Sequence, residues 1–307
     1  MEKISSLPLP DALYNWIVNY LSGRLHCTKS NNLLSSALPI NASVVQGSAL
    51  GPVAFIINAT DLNVVTPGNK LHKYADDTYL IVPSTNSQSI SLELAHIAGW
   101  AEENNLKLNT SKSLEMVVCR PLRGKSLVPT TFPTEIPNVA RVTSLNILGV
   151  IIQQNLTMHE HVNSIISATG QNLYALKTLK AHGLCSQSLS DVCRATIVAK
   201  LTYVSPAWQG YTASTEKARL QAVMSKARRW GVYSLTAPDF EAIINSADKA
   251  LFTKMLCNKQ HVLHSQLPPV KIHTHNLRTR PHDRMLPTKT AASERNFITR
   301  MLFKNIF

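Results

Sequence analysis

Paired cysteines are absent from this sequence. The five cysteines stand at positions 27, 119, 185, 193 and 257, an odd number with no C-x-x-C or similar short spacing. This distribution excludes the disulfide framework of a small secreted domain, and it gives no cysteine-based metal or redox motif. We therefore expect reduced thiols in an intracellular protein.

Long apolar runs are missing as well. No stretch approaches the ~18 apolar residues that a membrane span requires, and the opening segment MEKISSLPLP lacks the apolar centre of a signal peptide. The sequence therefore predicts no membrane partner. With 44% hydrophobic residues among 307, the chain can nevertheless bury a sizeable core and form more than one folding unit.

Acidic residues are scarce, relative to basic ones, in one part of the chain only. Residues 1–120 carry 8 Lys or Arg and 9 Asp or Glu, a net charge of −1, whereas residues 121–307 carry 23 and 9, a net charge of +14. A basic region of this size suits a polyanion such as a nucleic acid. The alternative is a solvated basic face without a partner.

Two adjacent aspartates interrupt an apolar segment in the near-neutral part. In HKYADDTYLIV, residues 72–82, alternation and strong strand formers predict strand, turn and strand, with Asp76 and Asp77 at the tip. Aspartate is a common turn residue because its side chain bonds nearby backbone N–H groups. Adjacent carboxylates also repel each other unless a cation neutralises them, so the pair suits a divalent metal. The local pattern alone leaves both interpretations open.

Helical patterns flank this hairpin. Asp11 is expected to cap a short helix that ends at Gly23, and QGSALGPVAFIINATDL predicts a glycine turn followed by a helix that begins near Pro52. Apolar residues 90, 94, 97 and 101 share one helical face. KSLEMVVCR then predicts a strand.

The second part of the chain has a different pattern. SLNILGVII predicts a strand or hairpin after a proline-rich loop, and three helices follow at about residues 157–183, 187–204 and 214–232. The second of these helices has an expected apolar face of Leu189, Cys193, Thr196, the Lys200 stem and Val204.

Four motifs occur in a recognisable order. QGSALGP, YADDTYLIV, NLKLNTSKS and NILGVII resemble the palm motifs of a reverse transcriptase, most nearly those of non-LTR, LINE-like and jockey-like retrotransposons. The later YALKTLK and YVSPAW are similar to the thumb region of the same group. The resemblance implies an α+β fold, in which a partial palm of antiparallel sheet and packed helices precedes an α-helical thumb. Its expected divisions are a partial palm at 1–120, a loop and primer-grip hairpin at 121–155, the thumb at 156–235 and a basic C-terminal extension at 236–307.

The resemblance also implies roles for individual residues. Asp76 would be the principal ligand of Mg²⁺ or Mn²⁺ with Asp77 as its neighbour, and Lys112 would steady or protonate the departing pyrophosphate. The implied nucleotide-binding residues are Gln46, Gly47, Ser48, Tyr74 and Ala75, and Leu148 and Gly149 would grip the primer. The implied partners are an RNA template, a DNA primer and dNTP, and the family's habit of copying RNA at a chromosomal nick implies a nuclear location.

Basic residues crowd the third predicted helix. They are expected to contact phosphates of an RNA·DNA hybrid, and they are Lys217, Arg219, Lys226, Arg228 and Arg229. Trp230 beside them is expected to lie in the core rather than to stack on a base. Cys257 and the histidines at 261, 264, 273 and 275 fit no zinc-knuckle spacing, so we expect a polar, RNA-contacting tail and no zinc site there.

One motif of the resembled palm is not found. The family carries a further aspartate upstream, in a strand of the form F-x-D-x-x-x-A-F-D, but the only aspartates before the hairpin are Asp11 and Asp61. We therefore expect the fingers and first palm strand to be missing, and the chain to be a reverse transcriptase fragment that is inactive alone. The alternative is a non-catalytic nucleic-acid-binding relic that holds RNA or hybrid duplex.

Overall fold

A computed structural model describes residues 2–40, 47–119, 132–271, 282–290 and 293–304. The chain divides into a first unit, Met1–Ser113 with Pro133–Val139, and a second unit, Leu114–Phe132 with Ala140–Phe307. Both units combine helices with short strands, so the mixed α+β class is confirmed. No helix in the described ranges combines the length and apolar character needed to cross a membrane.

The first unit contains four described helices and six short strands. The helices are α1 (Glu2–Ser5), α2 (Asp11–Leu21), α3 (Gly51–Asn58) and α4 (Ile90–Glu103). The strands are β1 (Leu25–His26), β2 (Lys29–Ser30), β3 (Leu33–Leu34), β4 (Leu38–Pro39), β5 (Lys70–Tyr74) and β6 (Asp77–Ile81). They pair as three antiparallel two-stranded sheets, β1 with β4, β2 with β3 and β5 with β6.

The start of α2 differs from the expectation. Pro10 occupies the N-cap position in an extended conformation, and Asp11 is the first helical residue with no side-chain capping bond. The prediction that Asp11 caps the helix is therefore wrong. Its carboxylate lies in the first turn, where it still complements the positive end of the helix dipole.

The second unit is mainly helical. Its strands are β7 (Leu114–Glu115), which pairs in parallel with β8 (Ala140–Arg141), and β9 (Ser144–Ile147), which forms a hairpin with β10 (Val150–Gln153). Its helices are α5 (His159–Ala181), α6 (Ser186–Cys193), α7 (Ala199–Thr202), α8 (Ser205–Trp208), α9 (Ser214–Arg229), α10 (Phe240–Cys257) and α11 (Phe297–Leu302). The strand predicted over KSLEMVVCR is shorter than expected: within the described chain only Leu114 and Glu115 form a strand, and Cys119 adds a single backbone hydrogen bond to the carbonyl of Gln154.

Two hydrophobic clusters form the core of this unit. The larger lies among α5, α6, α7, α9 and α10, and its fully buried side chains include Val162, Leu189, Ile197, Leu220 and Met224. The smaller joins α10 to α11 and is formed by Phe252, Met255, Leu267, Met301 and Leu302.

The buried face of the predicted second helix differs from the expected one. A π-helical turn, Arg194–Val198, joins α6 to α7, and the buried residues are Leu189, Cys193, Ile197 and Leu201. Side chains four apart drift around an α-helix, but the wider π turn keeps a four-residue spacing in line. The predicted positions Thr196, Lys200 and Val204 therefore lie off the buried face.

Candidate active site

The hairpin predicted around the two aspartates is present. Strands β5 and β6 pair in register, with Tyr74 opposite Asp77, so Ala75 and Asp76 form a two-residue loop. Ala75 has a φ of 49°, which is the left-handed region that two-residue hairpin loops use. The tip is therefore a tight turn. The left-handed conformation is unfavourable for residues with a side chain, and at this position the side chain is the single methyl group of Ala75.

Both carboxylates at this tip are exposed to solvent. The hydroxyl of Tyr79 donates a long hydrogen bond of 3.4 Å to Oδ2 of Asp77. The two side chains can meet because residues two apart in a strand lie on the same face. Within the described ranges, no salt bridge joins a basic side chain to Asp76 or Asp77. Exposed carboxylate oxygens without a fixed counter-ion are suitable ligands for a hard divalent cation.

Near its end, β5 is hydrogen-bonded to the segment at the end of α3. The ammonium of Lys73 donates hydrogen bonds to the backbone carbonyls of Ala59 and Leu62, which follow the last residues of α3. Burial lowers the pKa of Lys73, and the carboxylate of Asp61 opposes this effect. A cation at the negative end of a helix is favourable, so this contact holds the hairpin against α3.

The start of β5 is fixed by a buried carboxylate on α4. Glu93 is fully buried and accepts hydrogen bonds from the backbone N–H of Val65 and of Thr66, at 3.1 and 2.8 Å. It also accepts one from the side-chain amide of Asn69, at 2.8 Å, directly before β5. Burial raises the pKa of Glu93, but the hydrogen bonds from Asn69, Thr66 and Val65 outweigh it and hold the pKa below its ordinary value. The loop that leads into the hairpin is therefore built on an ionised carboxylate.

The predicted nucleotide-binding turn lies at the other end of α3. Gly47 has a φ of 81°, and Oγ of Ser48 accepts a hydrogen bond of 3.0 Å from the N–H of Gly51, the first residue of α3. Gln46 lies outside the described residues. Eight helical residues, about 12 Å at 1.5 Å per residue, separate this turn from the end of α3 that Lys73 contacts.

Lys112 stands in a short capped turn of the first unit. The side chain of Asn109 accepts hydrogen bonds from the backbone N–H of Lys112, at 3.2 Å, and from the hydroxyl of Ser111, at 2.8 Å. The Lys112 side chain is exposed, and no ion pair joins it to Asp76 or Asp77 within the described residues. The structure thus presents Lys112 at the surface without bringing it into contact with the carboxylates.

The upstream aspartates are not available as further ligands at the hairpin. Asp61 accepts hydrogen bonds from the ammonium of Lys3 and from the indole N–H of Trp100, at 2.8 and 2.9 Å. The bond from Lys3 is the main reason why the pKa of Asp61 lies below its ordinary value. Asp11 is on α2, and the described residues contain no group of three or more His, Cys, Asp or Glu that could hold a metal. Asp76 and Asp77 alone therefore fit one cation and fall short of a two-metal site.

The predicted primer-grip turn is a hairpin loop of the second unit. Leu148 and Gly149 have φ values of 49° and 84°, and two successive left-handed residues are the mark of a type I′ turn. The hydroxyl of Tyr203 donates to the carbonyl of Leu148 at 3.1 Å, and a Cβ on Gly149 would lie 3.3 Å from the Tyr203 ring. Tyr203 comes from YVSPAW, so two of the recognised motifs are in contact within this unit.

The five predicted basic residues lie on α9 but do not share one face. At 3.6 residues per turn, Lys217 and Arg228 fall on one flank of the buried stripe, Arg219 and Lys226 on the other, and Arg229 points away from it. Arg228 donates to the carbonyl of Ala237 at 2.7 Å, and Arg219 donates to the side chain of Asn163 at 2.9 Å. The predicted phosphate-contacting residues thus lie on two flanks and the outer side of the helix.

The sequence patterns did not single out the residues that support the hairpin. Glu93 lies between Ile90 and Ile97 on the predicted apolar face of α4, and a charged residue inside such a stripe is the signal that could have identified it. Lys73 had no comparable signal, because the carbonyls that it contacts are apart from it in sequence.

Comparison with known proteins gives a consistent result. Residues 1–152 match the family described as reverse transcriptase (RNA-dependent DNA polymerase). A probable RNA-directed DNA polymerase from transposon BS of Drosophila melanogaster is 26% identical over 248 residues, which cover 75% of this chain and 26% of that protein. A probable RNA-directed DNA polymerase from transposon X-element of the same species is 26% identical over 237 residues, which cover 72% of this chain and 25% of that protein.

A third relative extends the comparison to the jockey element. The RNA-directed DNA polymerase from mobile element jockey of Drosophila melanogaster is 25% identical over 170 residues, which cover 52% of this chain and 18% of that protein. This chain spans about a quarter of the length of the BS and X-element proteins, and no solved structure matches it. The motif order, the family match and these relatives agree: residues 1–152 belong to the reverse transcriptase family, and the chain is similar to the polymerases of jockey-like, non-LTR retrotransposons.

Proposed function

We propose that this chain supplies the metal-binding hairpin and a basic helical region of an RNA-directed DNA polymerase, with Asp76 and Asp77 as ligands of Mg²⁺ or Mn²⁺. The observation that carries the proposal is the hairpin tip, where two adjacent exposed carboxylates stand on a turn that Glu93 and Lys73 hold in place. A rigid platform is required because convergent ligands act only when their positions are fixed. When bound there, the cation would stabilise negative charge on the transferred phosphate.

The roles proposed for the remaining predicted residues follow from the resemblance to reverse transcriptases. Tyr74, which is 63% exposed, and Ala75 would border the nucleotide beside the carboxylates. Gln46, Gly47 and Ser48 would line the nucleotide site, because a glycine turn at a helix start lets the backbone approach a phosphate. Lys112 would give its proton to the leaving pyrophosphate, and Leu148 and Gly149 would contact the primer backbone.

The proposed division of labour follows the motifs. Residues 1–120 would form a partial palm, residues 121–155 a loop and primer-grip hairpin, residues 156–235 a thumb, and residues 236–307 a basic extension. The partners would be an RNA template, a DNA primer and dNTP. The net charge of +14 over residues 121–307 supports binding of this second region to nucleic acid backbones.

We further propose that these residues do not polymerise DNA by themselves. Two carboxylates fit one cation, and Asp61, the aspartate nearest in sequence before the hairpin, is bound to Lys3 and Trp100. Loss of one electrostatic stabiliser of a transition state costs about 10²–10³ in rate, and the loss of a shared metal ligand is at least of that scale.

Primer extension on an RNA template, with Mg²⁺ or Mn²⁺, tests both parts of the proposal. We expect the chain and its Asp76→Asn variant to give the same background. The exposed Asp11 gives a matched control, Asp11→Asn, on the same unit. Extension by the unchanged chain and by Asp11→Asn, but not by Asp76→Asn, would overturn the proposed inactivity and support the role of the hairpin. Extension that persists in Asp76→Asn would contradict the role of the hairpin.

The second candidate function is nucleic-acid binding without catalysis. It is favoured by the basic charge of residues 121–307, which needs no metal for binding. In this case an RNA·DNA hybrid would bind with a strong salt dependence, and Asp76→Asn would leave the affinity unchanged. Binding that requires Mg²⁺ and is lost in Asp76→Asn would exclude this candidate.

A further inference from the structure

Helices α5 and α9 run in parallel, and their C-terminal ends meet. Near their starts, Arg219 of α9 donates to the side chain of Asn163 of α5, at 2.9 Å. Near their ends, the ammonium of Lys180 donates to the backbone carbonyl of Trp230, at 2.8 Å. A Cβ at Gly231 would collide with this ammonium, so the glycine leaves the space that Lys180 occupies.

The joined helix ends carry positive charge only. Residues 174–184 and 225–235 contain five cations and no carboxylate. The ammonium groups of Lys177 and Lys226 lie 5.1 and 4.6 Å from the centroid of the Trp230 ring, so they are within about 10 Å of each other. Two ammonium groups therefore lie at the indole of Trp230 and a third, that of Lys180, at its backbone carbonyl, although like charges repel at this range.

The helix ends themselves do not account for this much charge. A helix C-terminus is equivalent to about −0.5 elementary charge, so two ends offset about one of the three ammonium groups. Cation–π contacts fix the positions of Lys177 and Lys226 without using their N–H groups, and an ammonium has three donors, of which Lys180 uses one on Trp230. The exposed remaining donors are arranged in advance for an anion that carries several charges.

An exposed aromatic ring lies beside this charge. Tyr174 is 71% exposed and stands three residues before Lys177, so the two side chains share a face of α5. Cationic groups next to a free aromatic ring are the combination with which proteins bind single-stranded nucleic acid, by phosphate contacts and base stacking. A duplex would meet the charges but would leave the ring unused, because its bases are already stacked.

We propose that the joined C-terminal ends of α5 and α9 bind single-stranded nucleic acid, with Lys177, Lys180 and Lys226 on phosphates and Tyr174 stacked on a base. Of these residues only Lys226 was expected from the sequence. The proposal rests on the proposed function only in that the chain acts on nucleic acid, and it requires neither a metal nor the carboxylates of the hairpin.

Fluorescence anisotropy of a labelled 12-nucleotide oligouridylate with the full chain, in EDTA, tests the charges. Lys177→Gln/Lys180→Gln is expected to bind at least about tenfold more weakly, and the slope of log K against log salt should shrink by about 1.4, which is about 0.7 for each lost phosphate contact. Lys249→Gln/Lys254→Gln, two exposed lysines of α10, removes the same charge elsewhere in the unit and should bind within about twofold of the unchanged chain. Equal losses in the two double variants would overturn the proposal. Lys177→Gln alone keeps the Lys180 contact, and it should show a smaller loss even if the double variant unfolds.

Two substitutions of Tyr174 test the stacking. Tyr174→Leu should weaken oligouridylate binding by about tenfold, whereas Tyr174→Phe keeps the ring and should bind as the unchanged chain. Full binding by Tyr174→Leu, or a 12-base-pair RNA duplex that competes as well as the single strand, would overturn the single-strand assignment. Asp76→Asn should bind normally here, so this test fails or succeeds independently of primer extension.

Discussion

Acidic side chains have two distinct uses at the scale of single residues. Glu93 is buried and hydrogen-bonded, and Asp61 forms an ion pair with Lys3, so both carboxylates stabilise the fold of the first unit. Asp76 and Asp77 are exposed at a turn, where the described residues offer them no basic partner. The environment of each carboxylate, rather than its type, identifies the pair that is free to bind a cation.

Glu93 makes a specific contribution to stability. Because its pKa is lowered in the folded chain, the contribution is present above the ordinary value of 4.5 and is lost as the pH falls through the folded pKa. Glu93→Gln should lower the free energy of unfolding of the first unit by about 1.5–3 kcal/mol at pH 7, and the effect should shrink as the pH falls from 4.5 through the folded pKa. Urea denaturation at pH 7 and at decreasing pH below 4.5 measures the difference.

The local effect of this substitution can be measured as well. Hydrogen exchange of the Val65 and Thr66 amides should accelerate in Glu93→Gln, because both lose their acceptor. Glu102→Gln, at an exposed position of the same helix, is the matched control and should change neither property. An equal pH dependence in the two variants would contradict the role of Glu93.

The cysteines should differ in reactivity. Burial raises the pKa of Cys193 to about 11, whereas the hydroxyl of Ser188, 3.2 Å from Sγ of Cys185, lowers the pKa of that exposed thiol. Since the thiolate is the nucleophile, iodoacetamide at pH 7.5 should label Cys185 before Cys27 and Cys257 and should leave Cys193 unlabelled. Ser188→Ala should raise the pKa of Cys185 and slow its labelling. Mass spectrometry of the labelled peptides decides, and rapid labelling of Cys193 would contradict its burial.

At the scale of elements, the two hairpins depend on left-handed turn residues. Gly149 combines a φ of 84° with the nearby ring of Tyr203, so Gly149→Ala should cost about 1–3 kcal/mol of the stability of the second unit. Gly170→Ala is the matched control, because Gly170 is in α5 with nothing within 4 Å of an added Cβ, and it should stabilise by about 0.5–1 kcal/mol. Thermal unfolding should show a lower melting temperature for Gly149→Ala and a higher one for Gly170→Ala. A loss of similar size in both would show that the turn has no special requirement.

Elements defined by local patterns could be predicted from the sequence, and elements defined by distant contacts could not. The alternation in HKYADDTYLIV and the glycine turn before Pro52 gave β5, β6 and α3 because strand pairing and helix starts are local properties. The face of α6 and α7 was mispredicted because a π turn has no local signature. The hydrogen bonds by which Lys73 and Glu93 hold β5 were not predicted, because they join residues far apart in sequence.

In helix α10 a buried charge interrupts the apolar pattern from which a helix is predicted. Phe240, Ile244 and Phe252 repeat at helical spacing, but Asp248 interrupts this apolar stripe and is fully buried. Its Oδ2 accepts hydrogen bonds from Gln209 and from Arg300, the latter at 3.0 Å. Arg300 of α11 neutralises the Asp248 carboxylate, which allows this charge to be buried in an otherwise apolar helix face.

At the scale of the whole molecule, this ion pair joins α11 to α10 within the second unit. Arg300→Met would leave Asp248 as a buried charge without its partner, which typically costs about 3–5 kcal/mol. Arg295→Met, at an exposed neighbouring position, should change the free energy of unfolding by less than about 0.5 kcal/mol. Urea denaturation of the two variants provides the comparison, and equal stability would mean that the pair does not hold α11 in place.

The two parts of the chain differ in charge as their proposed roles require. The near-neutral residues 1–120 contain the exposed aspartates, and the basic residues 121–307 contain the proposed nucleic-acid contacts. The central claim is that the aspartates bind a divalent cation. Without that cation the hairpin would be an ordinary acidic turn on a nucleic-acid-binding protein.

Broadening of amide resonances by Mn²⁺, in an isotopically labelled full chain, tests this claim most directly because it locates even a weak site. We expect amides of residues 74–78 to broaden first, at Mn²⁺ concentrations below that of the protein, and the effect to vanish in Asp76→Asn/Asp77→Asn while persisting in Asp11→Asn. Broadening that is absent from residues 74–78, or that is unchanged in the double variant, would contradict the assignment of the hairpin as the metal site.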